Sequence, residues 1–341
     1  MNALLLSGLL LLAGCAMDHG TMEKPSSVPI PPVVAEAVFV VNGGSNSISV
    51  IDVAKSEVIG TIALRNADYP HHIYASPDGA SLALAVPGMD LSGGHAGGGH
   101  AMGGAVMLLD AQTGATKASR NFGHSNHNAA VSKDGKEIWT TQMAALGKVL
   151  VLDAATLDTK QTLDAGDSPA EVTFTVDGKF AFVANGGSDN VMVYDAVSKA
   201  LVKTIAVGDT PVGAWPGKDT LMYVDNEEAK TITAIDGRSL EAVRTYTLGF
   251  TPGMAATDAT GDLWVTDSGN GKVVIFTSGS TVKSGEVATG AGAHGIAFSR
   301  DGKTAFISNQ SAGTVSVIEV AGRIAKGTVT VGEKPNGMVV R

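Results

Sequence analysis

The sequence predicts an all-β chain folded as a seven-bladed β-propeller of four-stranded blades, and three observations predict it. First, a strand ending at or near an acidic residue recurs as SISVID (to Asp52), VMLLD (to Asp110), VLVLD (to Asp153), VMVYD (to Asp195), TITAID (to Asp236), VVIF (to Phe276) and VSVIE (to Glu319). The spacings are 58, 43, 42, 41, 40 and 43 residues. A period in the low forties with four strand-like runs per unit marks propeller blades. Second, apolar-alternating runs ending in Asp-Gly recur between these strands: YPHHIYASPDG (Tyr69–Gly79), SNHNAAVSKDG (Ser125–Gly135), SPAEVTFTVDG (Ser168–Gly178) and AGAHGIAFSRDG (Ala291–Gly302). Alternation is the period of a half-buried strand, and Asp-Gly supplies the positive-φ turn of a hairpin. Third, the two ends complement each other. FVVN (Phe39–Asn42) opens the repeats as the second strand of a unit, and NGMVVR (Asn336–Arg341) ends them as a first strand. The C-terminal strand is therefore expected to join the N-terminal strands in one blade, which closes the ring and removes free sheet edges.

At 341 residues with 43 glycines and 5% aromatics, the chain is long enough for a large core and rich in turns. The formal charge is −9, and no Lys/Arg cluster provides the basic footprint that phosphate binding needs. Nucleic acid is therefore not an expected partner, and the propeller is expected to be monomeric. The sole cysteine, Cys15, allows no internal disulfide.

Taken in order, the chain begins with an apolar run, Leu4 to Leu12, too short for a stable membrane anchor and of the length of a signal-peptide core. It leads into Leu12-Ala13-Gly14-Cys15, which resembles the lipobox of bacterial lipoproteins, although the positive n-region is reduced to the terminal amine. The resemblance implies cleavage after residue 14, lipidation of Cys15 and attachment to a membrane. Ala16 follows the cysteine where an Asp would retain the protein at the inner membrane, so the implied location is the bacterial envelope, at the outer membrane facing the periplasm. The alternative is an ordinary secretory signal with an incidental cysteine. Residues 15–35 then read as a tether, since SSVPIPP (Ser26–Pro32) disfavours helix and central strand.

From residue 36 to 341 the chain is expected to be propeller. Besides the acidic-ended strands it carries FVVN, FVAN (Phe182–Asn185), YVDN (Tyr223–Asn226), WVTD (Trp264–Asp267) and FISN (Phe306–Asn309). This pattern resembles the YVTN-type seven-bladed repeats of bacterial surface and periplasmic proteins. These are related to YncE-like proteins and, more distantly, to the d1-haem domain of cytochrome cd1 nitrite reductase. The resemblance implies the fold and leaves function open, because propellers host binding, scaffolding and catalysis alike.

The long first spacing contains an insertion, PGMDLSGGHAGGGHAMGG (Pro87–Gly104), between the second strand (Leu82–Val86) and third strand (Ala105–Leu109) of its blade. It is expected on the face of the loops that enter the innermost strands. Those loops hold histidines in register: His71, His127 and His294 each lie seven residues before the Asp of Asp-Gly. The other blades place Ala170, Val212, Gly253 and Asn336 there, and the next position holds His72, Asn128, Glu171, Gly213, Met254, Gly295 and Gly337. His124 lies just upstream in its own loop, and the insertion adds His95, His100, Met89 and Met102. The tether adds Met17, His19 and Met22.

Imidazole suits Cu, Zn, Ni or Fe, and thioether selects Cu(I). The candidate metal ligands are thus His71, His72, His124, His127 and His294, with His95, His100 and Met102 from the insertion. Copper or another transition metal is the expected cofactor, ahead of a haem seeking an axial histidine. The same histidines also admit a structural role, hydrogen-bonding backbone carbonyls at loop–strand junctions. No HExxH or CxxC motif narrows the choice. G-x-G-x-x-G at Gly290–Gly295 opens no helix, no GxSxG is present, and the recurring aspartates and Trp139, Trp215 and Trp264 read as blade architecture.

The expected function is a non-enzymatic binding or scaffold lipoprotein presenting this face to a metal, a metallocofactor or a periplasmic protein partner. Two alternatives stay open: a metal- or haem-dependent redox enzyme, and a lactonase-type hydrolase.

Overall fold

The computed structural model describes residues 23–93, 103–218 and 220–341, and among them every regular element is a strand. Seven antiparallel sheets follow one another along the chain. Blade I holds Ile73–Ala75, Ser81–Val86, Ala105–Asp110 and Thr116–Asn121; blade II holds Ala130–Val131, Glu137–Gln142, Lys148–Asp153 and Thr159–Asp164. Blades III to VI begin at Pro169, Pro211, Pro252 and Ala293. Blade VII takes its innermost strand, Pro335–Val340, from the C-terminus and pairs it antiparallel with Ala37–Asn42. The expected closure is present.

Burial follows position within the blade. Second and third strands are covered on both faces by the adjoining blades. Outermost strands such as Thr159–Asp164 and Ala242–Thr247 are polar and turn one large residue inward, here Leu163 and Tyr246. Seven apolar clusters result, each lying between two neighbouring blades. Phe180, Phe182 and Val193 meet Met222 and Val224 between III and IV. Val38, Val40 and Met338 meet Phe306 and Val317 between VI and VII.

Recurrent polar residues hold the hairpins. Asn42, Asn226 and Asn309, the last residues of second strands, each donate two side-chain hydrogen bonds to hydroxyls of the following strand. Asp78, Asp134, Asp177 and Asp301 accept a hydroxyl two residues upstream and a backbone N–H two residues downstream. The glycines after them take φ of 67 to 74°, the left-handed turn the Asp-Gly pairs predict.

The residues read as a tether are docked from Glu23 onward. Ser26–Val28 adds a fifth strand to the outer edge of blade VII by pairing with Ala63–Arg65. The Ser27 hydroxyl donates to Gly114 O of blade I (2.6 Å), Val33 is buried, and the Arg341 guanidinium donates to Val33 O (2.8 Å). Ile30 and Val33 pack on the core between VII and I. The prolines exclude a central strand, as expected, but leave an edge strand and a strap free to form. Residues 1–22, including Cys15, Met17, His19 and Met22, lie outside the described residues.

Candidate metal centre

Five of the seven innermost strands are interrupted at the same two positions, and the other two begin only after them. In blades III to VI the ladder register shifts across 170–171, 212–213, 253–254 and 294–295, and blade VII shows the same break opposite Val41. In blades I and II the strand begins only after residues 72 and 129. A bulge at the rim of a closed sheet re-aims side chains. Here these positions ring the central channel and offer two successive side chains per blade.

Blades I, II and VI fill this ring with imidazole. His71 and His72 ring centroids are 4.6 Å apart, His71 and His127 4.4 Å, His72 and His127 5.0 Å, and His71 and His294 5.6 Å. His71, His72 and His127 each present one nitrogen such that all three lie within 4.8 Å of one another. Their exposures are 1%, 4% and 1%, against 9% for His294.

A buried carboxylate organises the triad. Glu171 Oε1 stands 2.9 Å from His127 Nδ1 and 3.2 Å from His72 Nε2. Its other oxygen accepts from Asn128 Nδ2 (3.2 Å), and Asn128 is pinned by exchanging hydrogen bonds with the Val172 backbone (2.8 and 3.1 Å). Oε1 makes no hydrogen bond to either ring, so what it brings to the pair is a negative charge at ion-pairing distance from both imidazoles. Tyr74 lies alongside, its hydroxyl 3.2 Å from Asn128 Nδ2. Burial, then the negative charge of Glu171, pushes the Tyr74 phenol well above its usual range.

The opposite wall comes from blade IV. Trp215 Nε1 donates to Asp225 Oδ1 (2.7 Å), which also accepts Gly213 N–H (3.0 Å), and the indole lies 5.9 Å from the His72 ring. Burial, reinforced by the charges of Glu171 and Glu227, pushes the Asp225 carboxyl well above the usual carboxylate range. Its Oδ2 has no hydrogen-bond partner among the described residues. Glycines make this packing fit. A Cβ on Gly213 would stand 2.5 Å from the indole, and one on Gly337 would stand 2.5 Å from His72 Nδ1 and 2.9 Å from its Cα.

The candidate residues therefore separate. His71, His72, His127 and His294 converge. His124 is exposed in its loop and joins the base of the insertion through its carbonyl, which accepts Gly104 N–H (3.1 Å). That base is also held by Ser125 Oγ donating to Pro87 O (2.8 Å) and by the Asp90–Lys334 ion pair, on the face expected for it. His95, His100 and Met102 lie outside the described residues. Trp139 and Trp264 are interblade packing as read, each donating Nε1 to a carboxylate, but Trp215 also walls the centre. Glu171 and Asp225 are the residues sequence reasoning passed over. Glu171 stood in the register beside His72, and Asp225 was legible as the one acid before the terminal Asn of a YVTN-like motif.

The YNCE-like beta-propeller family matches residues 115–284. No curated protein matches the sequence. Among solved structures, the periplasmic gluconolactonase PpgL of Pseudomonas aeruginosa is 18% identical with a TM-score of 0.71, covering 89% of this chain and 98% of its own. Hydrazine synthase of Kuenenia stuttgartiensis is 18% identical at 0.70, with 89% and 99% covered. The dihydro-haem d1 dehydrogenase NirN in complex with DHE is 16% identical at 0.62, with 92% and 79% covered. At these identities the likeness is one of fold.

Proposed function

For a seven-bladed propeller whose residues 115–284 are YncE-like, we propose the role of a transition-metal-binding module of the cell envelope, with copper as the expected ion. The observation that carries this reading is the triad: three buried imidazoles from blades I and II, their nitrogens within 4.8 Å of one another. Nitrogens bound to one tetrahedral ion at about 2.0–2.1 Å stand about 3.4 Å apart, so small ring rotations complete the set. Glu171 supplies negative charge beside two of the three imidazoles, which favours a cation held between them. The protein acts by holding the ion. The fold neighbours named as lactonases share at most 18% identity, which transfers no hydrolytic activity, and no observation at the site favours one.

The module is lipid-anchored through Cys15 at the outer membrane, facing the periplasm, and presents the channel mouth to a periplasmic partner. The Leu-Ala-Gly-Cys sequence supports this placement, and the P. aeruginosa fold neighbour is itself a periplasmic protein. Elemental analysis of protein purified from the envelope is expected to give about one equivalent of transition metal. Double substitution H71A/H127A is expected to lose it while the circular dichroism of the fold remains. Less than about a tenth of an equivalent in the wild type, unchanged in the variant, overturns the reading. Cys15→Ser is expected to release the protein from the membrane fraction.

A further inference from the structure

His294 stands apart from the triad in three respects. It is the most exposed of the four converging imidazoles, at 9%. Its ring centre lies 5.6 Å from His71 and 6.1 Å from His72, the outer side of the cluster. And a sulfur lies beside its strand. Met254, from the same ring of interrupted positions on blade V, directs Sδ to the N–H of Ile296 (3.4 Å), two residues along from His294. The backbones are tied at these residues: the Thr266 hydroxyl donates to His294 O (2.7 Å) and accepts Met254 N–H (2.8 Å), which holds the two interrupted strands side by side. Met254 is only half-buried, and a thioether sulfur retains lone-pair capacity beyond one weak N–H contact.

The two sets differ in chemistry as well as in depth. Three imidazoles with a carboxylate behind them accept divalent ions broadly, whereas a thioether beside an imidazole selects Cu(I). We infer that Met254 and His294 form an outer station that takes up a monovalent copper ion at the channel mouth and passes it to His71, His72 and His127. In the transfer the ion exchanges one sulfur and one imidazole for three imidazoles. No electron moves, and the copper stays monovalent throughout. This inference rests on the triad being a metal site.

The test follows Cu(I) loading from a bicinchoninate complex by loss of its colour, in parallel with Co(II) binding read from its d–d absorption. Met254→Leu conserves volume and is expected to load Cu(I) at least 10-fold more slowly than wild type, as is H294Q, while M254L still takes one Co(II). A second measurement uses the wild-type chain labelled with 13C-methyl methionine. The Met254 methyl signal, assigned by its absence in M254L, is expected to shift with Cu(I) and to stay in place with Zn(II). Wild-type loading rates in M254L and H294Q, or a Met254 methyl that Cu(I) does not move, overturn the outer station while Co(II) binding leaves the triad standing. A wild-type chain that takes neither Cu(I) nor Co(II) overturns the triad and the station together.

Discussion

At the scale of single residues, the centre depends on who faces whom across the channel. Glu171 touches His72 and His127 and is itself held by Asn128. Glu171→Gln keeps the shape and removes the charge, and is expected to weaken metal binding about 10- to 100-fold in a competition titration, the usual effect of losing a carboxylate behind the ligands. Asp225 makes the opposite prediction. Its carboxyl binds its proton more tightly folded than unfolded, so the folded state loses stability as pH rises from the unfolded value near 4 toward the raised folded one. Asp225→Asn still accepts from Trp215 and Gly213 and cannot ionise. Chemical denaturation at pH 7 is expected to show it at least as stable as wild type, and a marked loss of stability would refute the assignment. Gly337 is the steric counterpart. A Cβ there meets His72 at 2.5 and 2.9 Å, so Gly337→Ala is expected to cost about 1–3 kcal/mol in denaturant titration and to lower metal stoichiometry. The histidines were legible because Asp-Gly fixes the register to the residue. Glu171 was not, because a glutamate in an alternating strand reads as solvent-facing until the neighbouring blades are placed. Trp215 was hidden for a related reason: its indole reaches the channel only because position 213 has no side chain.

At the scale of elements, the interrupted strand is the working unit. Five strands break and two begin late at the same register positions, and what a blade contributes is decided by the pair it places there: His-His, His-Asn, Ala-Glu, Val-Gly, Gly-Met, His-Gly, Asn-Gly. The buried imidazoles and the carboxylate come from blades I to III, His294 from blade VI, and glycines on IV and VII let Trp215 and His72 pack closely. The strap over blades VII and I is the second element of consequence. Proline content showed that Ser26–Pro32 could not be a central strand, but edge pairing and the burial of Val33 depend on contacts with residues 63–65 and 112–116, far away in sequence. Val33→Ala is expected to cost about 2 kcal/mol in urea unfolding, as for other truncated core side chains, which a freely hanging tether would not. The turn aspartates set the acid limit of the elements. Hydrogen bonds from the neighbouring Ser or Thr hydroxyl, then from backbone N–H, hold Asp134, Asp177 and Asp301 below the usual carboxylate range. Their stabilisation is present above the unfolded value near 4 and is lost as pH falls through the lower folded values. The melting temperature is expected to drop steeply below pH 4, and less steeply in a D134N/D177N/D301N variant.

At the scale of the whole molecule, the repeat period and the complementary ends made the ring readable in full, since both follow from pattern alone. Its seven apolar clusters form a closed cycle in which every blade shares two. Ending the chain before Pro335 removes the inner strand of blade VII and leaves Ala37–Asn42, five of whose six residues are apolar, with one edge unpaired. Such a chain is expected to lose its single cooperative unfolding transition and to associate, by light scattering, at concentrations where the full chain stays dispersed. The channel's contents also have an order in time. The triad and its carboxylate fall within residues 71–171, so a chain made from its N-terminus has them in hand when the third blade is complete. His294 and Gly337, the rim and the wall, are the last to be synthesised. The inner part of the site is thus drawn from blades that follow one another in the chain, while its rim waits on the closure of the ring.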